Sequence, residues 1–144
     1  MTSMTGGCAC GAKRFIAEVG EEQAYLCHCR MCQRASGNVS LALLTLPQGT
    51  VRWIGEEPDW YASSAIAERP FCAKCGTSLG FRYREGADKM DLTIASFDDP
   101  STFRPHHHFG AESMHRAWVN TEGLPEMRSE DYAALQERWR KACG

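Results

Sequence analysis

Three cysteines and a histidine lie within the six residues from Cys27 to Cys32. Thiolates at this density have little use in core packing, but they are soft ligands that suit zinc. Three cysteines leave a tetrahedral ion one ligand short, and catalytic zinc sites keep such a position for water or substrate. The segment therefore predicts a metal site, closed by His28, by a distant histidine such as His108, or by a ligand from outside. In an extended segment His28 points away from its neighbours, which favours a hydrogen-bonding or surface role.

Two further cysteine pairs are each followed by glycine, in Cys8-x-Cys10-Gly11 and in Cys72-x-x-Cys75-Gly76. Glycine accepts positive φ, so each turn can present both sulfurs to one ion. Joining the two pairs gives a closed four-thiolate site and leaves the cysteines of the central segment as a second site. In the alternative, one pair shares an ion with two central cysteines, and the cysteines left over form no sensible second site.

The composition fits one domain with a modest core, since the chain has 144 residues, 43% of them apolar. A net charge of −2 gives no indication of nucleic-acid binding. The longest apolar run, Leu41 to Leu46, is too short to cross a membrane, and residues 1–7 show no signal peptide. Eight cysteines without such a signal favour reduced thiols in the cytoplasm over a disulfide-linked secreted domain, and Cys143 is expected to be a free thiol.

Other polar and aromatic residues allow only general expectations. Arg30 and Arg34 would favour thiolates and anions beside the central cysteines, although they could equally be solvated. His106 and His107 are expected in a polar loop, because adjacent side chains cannot all face one ion. Three tryptophans are expected to belong to the core: Trp53, Trp60 and Trp118.

The elements that would position these residues are mainly strands. Lys13 to Val19 alternates, with Phe15, Ala17 and Val19 on one face, and predicts a half-buried strand. A polar and exposed loop is expected at Gln33 to Asn38. Further strands are predicted at residues 39–46, 51–54, 60–64, 78–83 and 90–95.

The C-terminal part predicts one helix at about 129–142. Ser129 can cap its N-terminus, and basic residues occupy its last turn. Tyr132, Leu135 and Trp139 share one face, which predicts that the helix packs on the strands through them.

The ordered cysteine motifs resemble the glutathione-dependent formaldehyde-activating enzyme family, which also includes centromere protein V. The matching motifs are Gly7-Cys8-x-Cys10-Gly11, Cys27-His28-Cys29-x-x-Cys32-Gln33-Arg34 and Phe71-Cys72-x-x-Cys75-Gly76-Thr77. Pro105-x-x-His108-Phe109 and Trp118 are similar to the family's ending. The resemblance covers about residues 6–119 of what we expect to be a single zinc-binding domain, residues 1–144. It implies a mainly β fold with twisted antiparallel sheets in a β-tent (Mss4-like) architecture stapled by zinc, here followed by the C-terminal helix.

The resemblance also implies two zinc ions per chain. A structural ion would be bound by Cys8, Cys10, Cys72 and Cys75, and a labile catalytic ion by Cys27, Cys29 and Cys32. The implied activity is that of a carbon–sulfur lyase which condenses formaldehyde, or a related aldehyde, with glutathione or another thiol, as in S-(hydroxymethyl)glutathione synthesis. The expected partners are therefore a small thiol and an aldehyde, without nucleic acid or membrane. The alternative is a zinc-stapled interaction module without catalysis.

Overall fold

A computed structural model of the protein describes residues 1–143. It contains ten strands and three α-helices, joined by turns and short 3₁₀ segments. In chain order they are β1 (Thr2–Gly7), β2 (Lys13–Val19), β3 (Ala24–Cys27), α1 (Arg30–Ser36), β4 (Leu41–Pro47), β5 (Val51–Gly55), β6 (Asp59–Ala62), β7 (Ala67–Phe71), β8 (Gly80–Tyr83), β9 (Lys89–Thr93), β10 (Pro105–Phe109), α2 (Arg116–Val119) and α3 (Ala133–Cys143).

The strands form two sheets. A three-stranded antiparallel sheet has the order β1-β2-β5, and a seven-stranded sheet has the order β10-β3-β4-β9-β8-β7-β6. In the larger sheet β10 runs parallel to β3, while the other neighbours are antiparallel. The mainly β class and the C-terminal helix predicted from the sequence are therefore confirmed.

The main hydrophobic core is formed by residues from both sheets. Alternation in β2 buries Phe15, Ala17 and Val19, as the period-two pattern predicts. Gly6 of β1 passes so close to the Phe15 ring that a Cβ at this position would lie 2.3 Å from it. Glycine is required there because any side chain would displace the ring. The larger sheet and the loop after β9 contribute the other buried members: Ala24, Leu44, Leu46, Met90, Leu92 and Phe97.

The exposed loop predicted at Gln33 to Asn38 is wrong, because residues 30–36 form the helix α1. The helix starts at Cys29, whose side chain caps it, and ends at Gly37 with a φ of 68°. The loop prediction was based on the polar and turn-forming residues of the segment, whereas the helix is defined by these end signals. Gln33 is only 5% exposed, and its Nε2 donates to the carbonyl oxygens of His28 and Ser113.

The loop predicted for His106 and His107 is also wrong, because both residues belong to β10. Consecutive histidines give no alternation of apolar and polar residues. The strand forms because its backbone pairs with β3, which lies about 80 residues earlier, as the His28–His108 contact illustrates. Local sequence carries no signal for such a pairing. Three other strands were not predicted either: β1, β3 and β7.

The C-terminal helix differs from its prediction in two respects. It begins at Ala133, and Ser129 lies in a preceding 3₁₀ turn without a side-chain cap. Tyr132 and Trp139 are 53% and 60% exposed, so the predicted packing of the helix on the strands is wrong. An apolar face shows that a helix has a hydrophobic side, but it does not identify the surface that covers that side.

The prediction of buried tryptophans holds for two of the three. Trp53 and Trp60 are half-buried and pack against the core, whereas Trp118 is 66% exposed. Trp118 lies in α2, beyond the last strand, where no sheet covers it. Within residues 1–143, no helix combines the length and apolar character that spanning a membrane would require.

Candidate metal centres and the adjoining cavity

The first candidate centre is built from two turns with the same backbone design. In each turn the glycine amide donates to the carbonyl oxygen of the first cysteine, from Gly11 to Cys8 at 3.1 Å and from Gly76 to Cys72 at 2.7 Å. Both glycines have a φ near 80°, which other residues adopt only with strain. One turn joins β1 to β2 and the other follows β7, so the two turns belong to different sheets.

The sulfurs of these turns lie together. The Sγ atoms of Cys8, Cys10, Cys72 and Cys75 are all within 4.8 Å of one another. Four sulfurs bound to one tetrahedral zinc at about 2.3 Å would be about 3.8 Å apart, and the Cys8–Cys10 and Cys10–Cys72 distances are 3.6 and 3.8 Å. The donor set and its spacing therefore fit one thiophilic metal ion such as zinc.

Hydrogen bonds to two sulfurs of this set, those of Cys75 and Cys8, favour their thiolate forms. The Thr77 hydroxyl lies 3.2 Å from the Cys75 sulfur, and hydrogen bonds from Thr77 lower the pKa of Cys75 to about 5. The Lys13 amide donates to the Cys8 sulfur at 3.2 Å. Thr77 Oγ1 also accepts from the Ala9 amide at 3.0 Å, so the same hydroxyl connects the two turns.

The second candidate centre lies where β3 passes into α1. Cys27 is the last residue of β3, Cys29 caps the helix, and Cys32 lies in its first turn. The three sulfurs are within 4.8 Å of one another, with 3.5 Å between Cys27 and Cys29. The Cys29 sulfur also accepts from the Cys32 amide at 3.3 Å. Three thiols at this spacing fit a metal ion that takes one more ligand from elsewhere.

The thiols of the second set differ in their readiness to ionise. Hydrogen bonds from Cys27 and from the guanidinium of Arg69, together with the charge of Arg69, lower the pKa of Cys32 to about 5. The same thiol–thiol hydrogen bond, together with burial, raises the pKa of Cys27. Of these two thiols, Cys32 therefore ionises more readily.

Arg69 is the functional candidate that the sequence analysis missed. It lies in β7 and is 1% exposed, and its Nη2 donates to the Cys32 sulfur at 3.4 Å. Its Cζ is 5.0 Å from the centre of the Phe81 ring, and its Nε and Nη1 have no hydrogen-bond partner among the described residues. A buried arginine is costly unless its charge is matched, so it favours negative charge on the sulfurs. The available signal was its position two residues after Ala67, on the buried face of β7.

The arginines singled out from the sequence make other contacts. Arg30 donates to the side chain of Gln33, within α1. Arg30 and Arg34 are absent from the lining of the cavity described below, whereas Arg69 and Arg82 are part of it. The strand β7, rather than the cysteine segment, thus supplies the cation beside the sulfurs.

His28 is buried and belongs to neither sulfur set. Its Nε2 lies 2.9 Å from Nδ1 of His108, and its backbone amide donates to the Phe109 carbonyl at 2.8 Å. The hydrogen-bonding role considered for His28 is correct and the surface role is wrong, since the side chain is fully buried. No histidine nitrogen within residues 1–143 joins either sulfur set at the 4.8 Å spacing, so neither histidine is placed as a fourth ligand. The pair instead holds β10 against β3.

A tyrosine and an aspartate form a buried polar pair near the second set. The Tyr25 hydroxyl donates to Oδ2 of Asp91, and the Tyr25 ring stacks on His107 with centroids 5.2 Å apart. Burial raises the pKa of Asp91, and burial followed by the charge of Asp91 raises the pKa of Tyr25. The pair can therefore hold a proton away from bulk water.

A cavity of about 890 Å³ joins these features. The three cysteines of the second set line it, together with Arg69, Tyr25 and Asp91. None of the cysteines of the first set is part of its lining. Cys143, at the end of α3, is exposed and belongs to neither set, as expected of a free thiol. One sulfur set thus faces a space that a ligand could enter, while the other links two turns.

Two sequence comparisons match this chain to known proteins. A sequence profile described as glutathione-dependent formaldehyde-activating enzyme matches residues 3–113. An uncharacterized lyase from Schizosaccharomyces pombe is 35% identical over 86 residues, which are 60% of this chain and 62% of that protein. The chain thus matches less than two thirds of that relative's length.

A solved structure supports the fold. The crystal structure of a Rhodobacter sphaeroides protein superimposes with a TM-score of 0.59 at 22% sequence identity. The match covers 73% of this chain and 99% of that one. At this identity the likeness concerns the fold alone.

Proposed function

Because this chain belongs to the glutathione-dependent formaldehyde-activating enzyme family, we propose that it is a zinc-dependent carbon–sulfur lyase. Its substrate would be the adduct of a thiol, glutathione by default, with formaldehyde or a related aldehyde. The observation that carries the proposal is the three-cysteine set beside a cavity, with a buried arginine against one of the sulfurs.

The two sulfur sets take different roles in this proposal. Cys8, Cys10, Cys72 and Cys75 would hold a structural zinc, because four thiolates complete its coordination. Cys27, Cys29 and Cys32 would hold a second zinc, with the thiol substrate as the remaining ligand. When bound there, zinc would supply Lewis acidity and favour the thiolate form of its ligands.

The chain's own residues prepare the reaction around this position. The reaction forms or breaks the bond between the thiol sulfur and the aldehyde carbon, and one proton passes between the sulfur and the carbonyl oxygen. Arg69 places a fixed positive charge beside Cys32, which favours negative charge on the sulfurs and on a thiolate that joins them. The Tyr25 hydroxyl and Asp91 hold a proton on the same cavity wall. The cavity removes the reacting groups from bulk water, which strengthens these interactions.

The proposed compartment is the cytoplasm. All eight cysteines are unpaired thiols in the structure, and reduced thiols persist in reducing compartments. Air exposure during purification should therefore oxidise the more accessible cysteines unless a reductant is present.

Two measurements on metal-loaded protein test the proposal. X-ray absorption should show an increase in sulfur coordination of zinc when glutathione is added. Exchange spectroscopy by nuclear magnetic resonance should show that the protein accelerates the exchange between free glutathione and its formaldehyde adduct. A control with Cys29→Ser should lose both effects while it keeps the first metal ion. Unchanged sulfur coordination, with a histidine nitrogen present throughout, would favour the zinc-stapled interaction module instead.

A further inference from the structure

Large apolar side chains are exposed around the cavity that holds the second sulfur set. Met31, Ile66, Tyr83 and Phe109 line this cavity and are 44%, 65%, 55% and 60% exposed. They come from four separate parts of the chain: α1, the connection before β7, the end of β8 and the end of β10. Scattered exposed apolar residues are ordinary, but four that converge on one concave surface mark a binding site.

The inner wall of the cavity continues this apolar surface. Leu43 and Met90 are 1% and 4% exposed and line the cavity beside the half-buried Phe81. The charged residues of the lining balance one another, since three are basic and three acidic. The basic residues are Arg69, Arg82 and Lys89, and the acidic residues are Glu22, Asp88 and Asp91. The cavity therefore has no excess charge with which to select a highly charged ligand.

Two of the three basic side chains that line the cavity already have interaction partners. Arg82 donates to the Glu68 carboxylate at 2.7 Å and lies over the Trp60 ring at 3.6 Å. Arg69 donates a hydrogen bond to the Cys32 sulfur. Most of the surface that remains for a ligand is hydrocarbon. A ligand therefore gains binding free energy at this wall mainly by burying apolar area.

The size of the cavity also exceeds what a one-carbon aldehyde needs. Sites for small molecules of drug size have volumes of roughly 300 to 1,000 Å³, and this cavity has about 890 Å³. Formaldehyde contributes a single carbon atom to its adduct and the rest of glutathione is mostly polar, so this adduct supplies little hydrocarbon for the apolar wall. We propose that the bound adduct carries an apolar group of several carbons, which packs between Ile66, Phe109 and the inner wall while its sulfur lies at the three cysteines. This inference rests on the proposed function and names its substrate class.

The apolar group could come from the aldehyde or from the thiol, and two ligand series distinguish the sources. In the first series, glutathione is combined with formaldehyde, butanal and hexanal. In the second, formaldehyde is combined with 2-mercaptoethanol, butanethiol and hexanethiol. Binding of each thiol–aldehyde mixture, and of each thiol alone, to the metal-loaded full chain is measured by calorimetry, and turnover of each adduct by kcat/KM. One of the two series lengthens the component that bears the apolar group in the natural substrate. In that series, affinity or kcat/KM should rise by up to about fourfold per added methylene.

A matched pair of variants localises the effect. Ile66→Ser removes an exposed isoleucine that lines the cavity, and Ile54→Ser removes one that is 41% exposed on β5 and lies outside it. Ile66→Ser should weaken binding of the six-carbon ligands by about tenfold and weaken binding of the one-carbon adduct far less, because that adduct lacks the chain that packs on Ile66. Phe109→Ser should act in the same direction, while Ile54→Ser should match the wild type in every measurement.

The outcomes separate the inference from the proposed function. If the formaldehyde adduct of glutathione is processed and neither series improves with length, the inference is wrong and the proposed function stands. Equal effects of Ile66→Ser and Ile54→Ser would also overturn the inference. If hexanethiol binds tightly and no adduct is turned over, the apolar site is supported and the lyase function is contradicted.

Discussion

Gly110 lies directly against the backbone of Cys29. A Cβ built on Gly110 would be 2.9 Å from the Cys29 amide nitrogen and 3.3 Å from its Cα, closer than side chains normally approach. The φ of Gly110 is +67°, so its conformation is also one that other residues avoid. The end of β10 thus fixes where α1 begins, and with it the position of the cysteine that caps the helix.

Gly110→Ala should displace Cys29 and weaken metal binding at the three-cysteine set, while the four-cysteine set keeps its ion. Gly55→Ala is the matched control, because Gly55 has a φ of +75° but no atom within 4 Å of its added Cβ. Both variants should lose about 1 kcal/mol of stability from the left-handed backbone. Metal content by mass spectrometry under native conditions checks the difference. If both variants retain the same metal content as the wild type, the contact does not position Cys29.

The sequence predicted the elements whose signals are local. The strand Lys13–Val19 has the predicted bounds because apolar residues alternate along it. The two glycine-followed cysteine pairs lie together in the structure. They could be predicted because each of the two segments shows the cysteine spacing of a metal-binding turn.

The remaining parts depend on contacts that a local pattern does not contain. The helix α1 is defined by its end signals at Cys29 and Gly37, and β10 by a parallel partner far away in the chain. Arg69 was missed because β7 was not among the predicted strands, and only the packing of this strand shows that its arginine is buried. The predicted packing of Trp139 on the strands was wrong, because the amphipathic pattern of a helix does not identify the surface that covers it.

Cys72→Ser should release the ion of the four-cysteine set and give unfolded or insoluble protein. The set joins turns that belong to different sheets, and zinc binding contributes on the order of 10 kcal/mol to folding in small zinc peptides. Cys143→Ser is the control, and it should change neither metal content nor the melting curve. Metal analysis and thermal unfolding check both variants. A Cys72→Ser protein with full metal content and unchanged melting would show that Cys72 is not a ligand.

Arg69→Met should weaken metal retention at the three-cysteine set by about 10- to 100-fold. Three thiolates and one divalent ion carry a net negative charge, and the buried guanidinium next to Cys32 offsets it. Arg69→Lys should recover part of the affinity, since it keeps the charge without the planar hydrogen-bonding group. Competition with a chromogenic chelator measures the two classes of metal separately. Equal losses in the methionine and lysine variants would contradict the prediction, because they would show that the positive charge at this position does not retain the metal.

Asp98→Asn should reduce stability at neutral pH by about 0.5 to 1 kcal/mol, a modest value because both members of the pair are partly exposed. Arg14, and then Thr5, hold the pKa of Asp98 at about 2, below its ordinary value of 3.8. A lowered folded-state pKa stabilises the protein fully above the ordinary value, and this contribution is lost as pH falls toward 2. The difference between wild type and variant should therefore disappear between about pH 4 and pH 2.

Denaturant unfolding at several pH values checks this prediction. Arg14→Met is the second single variant of a double-mutant cycle with Asp98→Asn. The Asp98→Asn substitution should cost little in the Arg14→Met background, because the partner charge is already gone. A loss of stability that is the same at pH 3 and pH 7 would contradict the assignment.

The parallel pairing of β3 with β10 has a consequence for the protein during its synthesis. Cys27, Cys29 and Cys32 leave the ribosome about 80 residues before His108, which holds β10 against His28. Pairings between strands so far apart in the chain form slowly, because a long loop must close first. For that interval the thiols are unprotected, although Cys27 and Cys32 are almost completely buried afterwards. Oxidative damage to this site should therefore depend more on the redox state of the cell while the chain is being made than on that around the finished protein.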